Sequence, residues 1–124
     1  MIDEGRALFL QIAEQIEDSI VDGSLPEEAQ APSTNELAAF YRINPATAGK
    51  GVNMLVDSGI LYKRRGIGMF VATGARDALI ARRRADFAEG YVRPLMAEAS
   101  RLGLSTDDVT ALIRTHAPTE GEPS

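Results

Sequence analysis

Apolar residues recur at Leu8, Phe9, Ile12, Ala13, Ile16, Ile20 and Val21, a spacing that lines them along one stripe of a helix about four turns long. Gln11, Glu14, Gln15, Glu17 and Asp18 fill the other face, and Gly23 stops the helix. That outer face is acidic and would repel phosphates, so the helix reads as a support. Residues 24–32 have turn chemistry and read as a loop. A short helix then begins at Ser33, whose hydroxyl and the carboxylate of Glu36 have the spacing of a capping box. Leu37 and Ala38, with Phe40 and Tyr41, are expected to pack inward, and Ile43 to plug the turn after Arg42.

A second start lies at Asn44-Pro45, a capping side chain followed by a residue whose missing N–H costs nothing at the first helical position. That helix runs to about Ser58 and ends at Gly59. Ala48, Val52, Leu55 and Val56 share its inner face; Ala46, Thr47, Lys50, Asn53 and Met54 lie opposite. Gly49 and Gly51 stand out, because each costs about 1 kcal/mol against Ala inside a helix. Close approach of a neighbouring backbone, or of DNA, would justify them.

Gly59–Tyr62 and Gly68–Ala72 then form a hairpin around Lys63–Ile67, with Lys63, Arg64 and Arg65 clustered at its tip. A hairpin this short must pack on the helices. From Ala75 the pattern is helical again through Leu79, Ile80, Phe87, Tyr91, Leu95, Met96, Ala99 and Leu102, with a bend or local opening expected at Pro94. Gly103 ends that helix. Ser105 and Asp108 start another, reaching about His116, and residues 118–124 have tail composition.

The predicted fold class is therefore mainly α with a small β-hairpin: a winged helix-turn-helix over 1–74, a two-helix region over 75–117 and a tail over 118–124. The two later helices are too short to enclose both a core and a sizeable ligand cavity. Their apolar stripes, including Leu79, Phe87, Tyr91, Leu95, Leu102 and Leu112, are expected to bury against a second copy of the chain. Arg82–Arg84 reads as a solvated helix face, with a second phosphate contact as the alternative.

Charge sharpens this picture. The net charge is −5, which is unusual for a DNA binder until it is mapped. Residues 1–41 carry nine acids and one base, whereas 42–74 carry five bases and one acid, Asp57. The positive end coincides with the second helix of the pair and the hairpin, and local charge decides whether phosphates are attracted. The excess is also what an ordinary solvated surface carries, and the basic tip could simply keep an edge strand from aggregating. The position of the tip beside the helix pair favours the phosphate reading.

The chain has no cysteine and one histidine, His116. Disulfides and cysteine-ligated zinc are excluded, and no nucleophile–base set, metal cluster or phosphate-cradling loop is present. An enzyme is not expected, nor a cofactor, nor a catalytic or metal-binding residue. No apolar run approaches the roughly 20 residues needed to span a bilayer. The first residues carry acids where a signal peptide needs bases, so a cytoplasmic protein without membrane contact is expected.

The chain resembles the GntR family of bacterial transcription regulators over about Ala7–Val71. Leu8-Phe9-x-Gln11-Ile12 matches the family's opening, Asp22-Gly23-Ser24-Leu25 the end of its first helix, and Pro32-Ser33-x-x-Glu36-Leu37-Ala38 the start of its second. Ile43-Asn44-Pro45-Ala46-Thr47, Leu55, Gly59-Ile60-Leu61-Tyr62 and Arg64-Arg65-Gly66-x-Gly68-x-Phe70-Val71 complete it. Asn-Pro-x-Thr, with the tail residues Phe87, Tyr91, Pro94-Leu95, Glu98-Ala99 and Leu102-Gly103-Leu104-Ser105, resembles the YtrA subfamily. The resemblance implies a homodimer with a reduced two-helix dimerisation region, most often a repressor, frequently of a transporter operon.

It also implies double-stranded operator DNA as partner and a contact set of Ser33, Thr34, Asn35, Asn44, Pro45, Ala46, Thr47, Lys50, Arg64, Arg65 and Gly66. Departures are Asn35 and Pro45 where arginines are common, Glu27-Glu28 where Pro-Gly is usual, and Gly51 where Ala is usual. With fewer arginines, more of the phosphate attraction is expected from Lys50 and the wing. The competing reading is a winged helix that binds a protein through its acidic first helix. No residue set points to a small-molecule effector.

Overall fold

The computed structural model describes residues 6–118, so the tail expected over 118–124 lies, apart from Pro118, outside the described residues. In chain order the elements are α1 (Leu8–Val21), α2 (Thr34–Tyr41), α3 (Pro45–Asp57), β1 (Leu61–Arg64) and β2 (Gly68–Val71). Then follow α4 (Ala75–Phe87), a π-helical turn (Ala88–Val92), α5 (Arg93–Arg101) and α6 (Thr106–His116). The strands pair antiparallel with Leu61 opposite Val71 and Arg64 opposite Gly68. This is a winged helix-turn-helix followed by a helical C-terminal region. Two compact units divide between Arg82 and Arg83.

In the first unit the stripe of α1 packs against α3. Ile12, Ile20, Val52, Leu61, Val71 and Leu79 are the large side chains fully removed from water. Gly51 is buried at the α1–α3 contact, where its missing side chain makes room for the α1 backbone. Gly49 is different: a methyl there would make only ordinary contact with Thr34.

Four sequence expectations change. The outer face of α1 is not wholly solvated. Gln11 is buried and donates from Nε2 to the Arg6 carbonyl at 3.0 Å, and Glu17 is buried and paired with Arg82 at 2.6 Å. Arg82 is thus one end of an ion pair rather than part of a free basic face. Phe40 points outward, 78% exposed, because Leu37, Ala38 and Tyr41 already define the inner side of an eight-residue helix. The 24–32 loop joins the hairpin. Ala31 N donates to Met69 O at 2.8 Å and Val71 N to Ala29 O at 3.0 Å, and Gln30 bridges Phe70 as a one-residue third strand. Finally, Leu79 is 0% exposed in the core of the first unit, beside Ala75. The start of α4 belongs to that core, so the compact unit reaches Arg82 rather than 74, and Leu79 has no surface to offer a second copy.

In the second unit, Pro94 cannot donate to the carbonyl four residues back and its ring crowds that position. The ladder slips accordingly, with Arg93 N donating to Ala88 O, five residues back, in a π turn. The opening expected at Pro94 is this turn. Ser105 caps α6 with a full capping box to Asp108, both bonds being 2.9–3.0 Å. Among its described hydrophobic residues only Ala99 and Val109 are buried.

Candidate nucleic-acid interface

The helix pair is set by its two caps. Ser33 Oγ accepts from Glu36 N at 3.0 Å, and Glu36 Oε1 accepts from Ser33 N at 3.0 Å. The Ser33 backbone N–H first and the Ser33 hydroxyl second hold the Glu36 carboxyl below the usual carboxylate range. Asn44 Oδ1 accepts from Ala46 N at 2.8 Å, which anchors the side chain on the start of α3. Between the caps, Arg42 takes the left-handed conformation with φ +57°, and Ile43 packs on the core as the expected plug.

The α2 start lies against α3: the Thr34 methyl is 3.6 Å from where a Cβ on Gly49 would sit. Ser33, Asn35, Asn44, Pro45, Ala46 and Lys50 are exposed, while Thr34 and Thr47 are half-buried. Beside the α3 cap, Arg42 is an exposed cation that makes no ion pair with the described residues. Lys50 does not project freely, since its Nζ sits 4.0 Å from the centre of the Phe9 ring on α1. That seat is worth about 0.5–1 kcal/mol for an exposed cation, small enough for a phosphate to draw the ammonium away.

In the wing, Gly66 turns the tip with φ +77°, a left-handed conformation that glycine adopts at no steric cost. The two adjacent arginines are unlike. Arg65 is exposed and, like Lys63, makes no ion pair with the described residues. Arg64 folds back instead. Its guanidinium lies 4.3 Å from the Phe70 ring centre, Nη2 donates to the Tyr62 hydroxyl at 3.1 Å, and Glu28 is 3.8 Å away.

Glu28 is one of the two acids that stand where Pro-Gly is usual in the family. It adopts φ +65°, a conformation costing a non-glycine residue roughly 1 kcal/mol. Its carboxylate accepts from Thr73 Oγ1 at 2.6 Å and from the Tyr62 hydroxyl. The Thr73 bond above all, then the Tyr62 bond and more weakly the charge of Arg64, hold the Glu28 carboxyl below its ordinary value.

Of the residues expected on a dimer face, Phe87, Tyr91, Leu95, Leu102 and Leu112 are exposed on the second unit, Tyr91 by 70% and Leu102 by 65%. Leu95, Ala99, Leu102, Leu112 and Ile113 line an apolar groove of about 310 Å³ between α5 and α6. Among the described residues no cluster of His, Asp or Glu could hold a metal ion, and no helix is long and apolar enough to cross a membrane.

Residues 8–71 match the family model described as bacterial regulatory proteins, gntR family. The chain is 31% identical over 118 residues to an uncharacterized HTH-type transcriptional regulator, YhcF, of Bacillus subtilis (strain 168), covering 94% of this chain and 93% of that protein. Among solved structures, a transcriptional regulator of the GntR family from Bacteroides thetaiotaomicron is similar, with 31% identity and TM-score 0.74 over 88% of this chain and 95% of that one. The AraR DNA-binding domain, solved in complex with operator ORX1, is similar over 57% of this chain and 87% of that chain, at 30% identity and TM-score 0.52.

Proposed function

The chain belongs to the gntR family of bacterial regulatory proteins, and on that premise we propose that it is a cytoplasmic, homodimeric, sequence-specific DNA-binding repressor of the YtrA-like type. Its target is the kind the subfamily resemblance implies, a transporter operon.

The observation that carries the reading is the start of α3, where Asn44, Ala46 and Lys50 are exposed and Thr47 half-exposed directly beside the capped start of α2. Small and hydrogen-bonding side chains at the N-terminus of the second helix are what a major groove admits. The first amides of α2, at Thr34 and Asn35, suit a phosphate at a helix N-terminus. Lys50 and the Asn44 amide group supply donors for base edges or phosphates, and Arg65 with the Gly66 backbone takes the flanking phosphate or minor groove. Ser33 and Thr34 add hydroxyls at the same end.

Dimerisation is supported by the second unit's shortage of core. It exposes Phe87, Tyr91, Leu95, Leu102 and Leu112, large apolar side chains of the kind that mark an interaction surface when they are contiguous. Two-fold symmetry would then place the α3 helices on half-sites about one helical turn apart. Repression would follow from occupying the operator.

A mobility shift with DNA from upstream of the chain's own gene, at low and moderate salt, tests the proposal. Binding that weakens with salt is expected, and footprinting of the same fragment should give two half-sites. Complete absence of salt-sensitive binding would instead favour a protein partner.

A further inference from the structure

We infer that Glu28 is a positioning residue that holds the wing arginine Arg64 away from DNA, so that the wing reaches phosphate through Arg65 rather than through both arginines. The inference rests on the DNA-binding reading above. It starts from geometry. Four polar groups form one chain: the Arg64 guanidinium donates to the Tyr62 hydroxyl, that hydroxyl donates to Glu28, and Thr73 donates to the other carboxylate oxygen at 2.6 Å. Glu28 therefore joins the loop after α1 to β1 and to the residues just after β2.

Arg64 is held at the Tyr62 end of this chain by one further group, the Phe70 face at 4.3 Å, and by the Tyr62 ring itself at 5.7 Å. A guanidinium that donates to the Tyr62 hydroxyl, lies over the Phe70 ring and has a carboxylate at 3.8 Å already has a negative charge and an acceptor beside it, as a phosphate would supply. Arg65, one residue on and past the strand, has none among the described residues.

Glu28 also reaches this place in a left-handed conformation that a glycine would adopt more readily. The Glu28 backbone N–H still donates to Val71 O at 2.8 Å, so the loop stays docked whichever side chain is present. The side chain can therefore be changed without undocking the loop.

The test uses the full chain and mixed-sequence duplex DNA, since phosphate contacts are sequence-independent. Glu28→Gln should bind more tightly at low salt, with a salt slope steeper by about 0.9, the increment for one added phosphate contact. Its advantage over the parent should then shrink about 3.5-fold between about 50 and 200 mM salt. The same substitution in an Arg64→Gln background should leave the slope unchanged. Equal gains in both backgrounds would mean that Glu28 acts only as a nearby negative charge, and that result overturns the inference, as does no gain in either.

A readout without DNA stands beside this one. In the free protein the Arg64 side-chain protons should be shifted upfield by the Phe70 ring, and Glu28→Gln should reduce the shift. If that substitution leaves the shift unaltered, Glu28 does not hold Arg64, whatever the DNA result. If the unsubstituted chain binds no duplex at any salt, the DNA-binding reading falls and the inference falls with it.

Discussion

A Cβ placed on Gly51 would lie 2.6 Å from the carbonyl oxygen of Phe9 and 3.1 Å from the Ile12 Cβ. The α1 and α3 backbones therefore meet with only hydrogen between them. Phe9 also carries Lys50 over its ring, so one residue of α1 sets both the depth of α3 and the resting place of its cation.

Gly51→Ala should accordingly destabilise the protein. The gain in helix propensity is about 1 kcal/mol, but a methyl pressed on a backbone carbonyl forces α1 and α3 apart at about 1–3 kcal/mol. The net loss expected is about 1 kcal/mol, and Gly51→Val should cost more. Gly49→Ala is the control: its methyl meets only Thr34 at 3.6 Å, so the propensity gain should stand. Urea unfolding of the three variants measures the signs.

Arg65→Ala should weaken binding to all DNA sequences alike and flatten the salt slope by about one unit. Lys50→Ala should cost about 1–3 kcal/mol on the preferred site and relax specificity there. Fluorescence anisotropy across a salt series, on operator and scrambled duplexes, separates the two. A salt slope unaffected by Arg65→Ala would remove the wing from the interface.

Arg82→Ala deprives a buried carboxylate of its 2.6 Å partner. Exposed pairs are worth about 0–1 kcal/mol and fully buried ones cost about 3–5 kcal/mol to break. Arg82 is half-exposed and the Glu17 side chain 9% exposed, which places the expected loss near 1–2 kcal/mol by thermal or urea unfolding. Arg84→Ala, outside that pair, should be nearly silent.

Acid should loosen the helix starts. Glu36 and Asp108 are both held below the usual carboxylate range, chiefly by the backbone N–H groups of Ser33 and Ser105 respectively. Across that range the folded state binds fewer protons than the unfolded one. The stability they contribute is thus complete above the ordinary carboxylate pKa and is lost as pH falls through the depressed folded values. Ser33→Ala should lower stability by about 1 kcal/mol at neutral pH and flatten the acid limb of a stability–pH curve.

Leu102→Glu combined with Leu112→Glu should convert the proposed homodimer to monomer in sedimentation velocity without loss of helical circular dichroism, because both side chains are exposed in the single chain. Retention of a dimer would move the interface elsewhere. Operator affinity should fall with the dimer, since two half-sites are then no longer bound together.

Some of this protein was decided by residues close together in the chain. The starts at Ser33-Glu36, Asn44-Pro45 and Ser105-Asp108, the extent of α1, the hairpin and the opening at Pro94 involve partners within about one helical turn or one hairpin, so spacing alone displays them. That Ala46, Thr47 and Lys50 lie on the face of α3 opposite Val52 and Leu55 follows from the same local rules, whereas the expected contact set came from the family resemblance. Other features were invisible there because their partners are remote. Whether Glu17 is solvated depends on Arg82, 65 residues away. Whether Leu79 serves the core or a surface depends on where α4 begins to leave the first unit. The third-strand pairing of Gln30 requires Phe70, and the difference between Arg64 and Arg65 requires Glu28 and Tyr62, themselves 34 residues apart. Periodicity can say that a side chain lies on a face; what covers that face is settled only when distant segments are packed together.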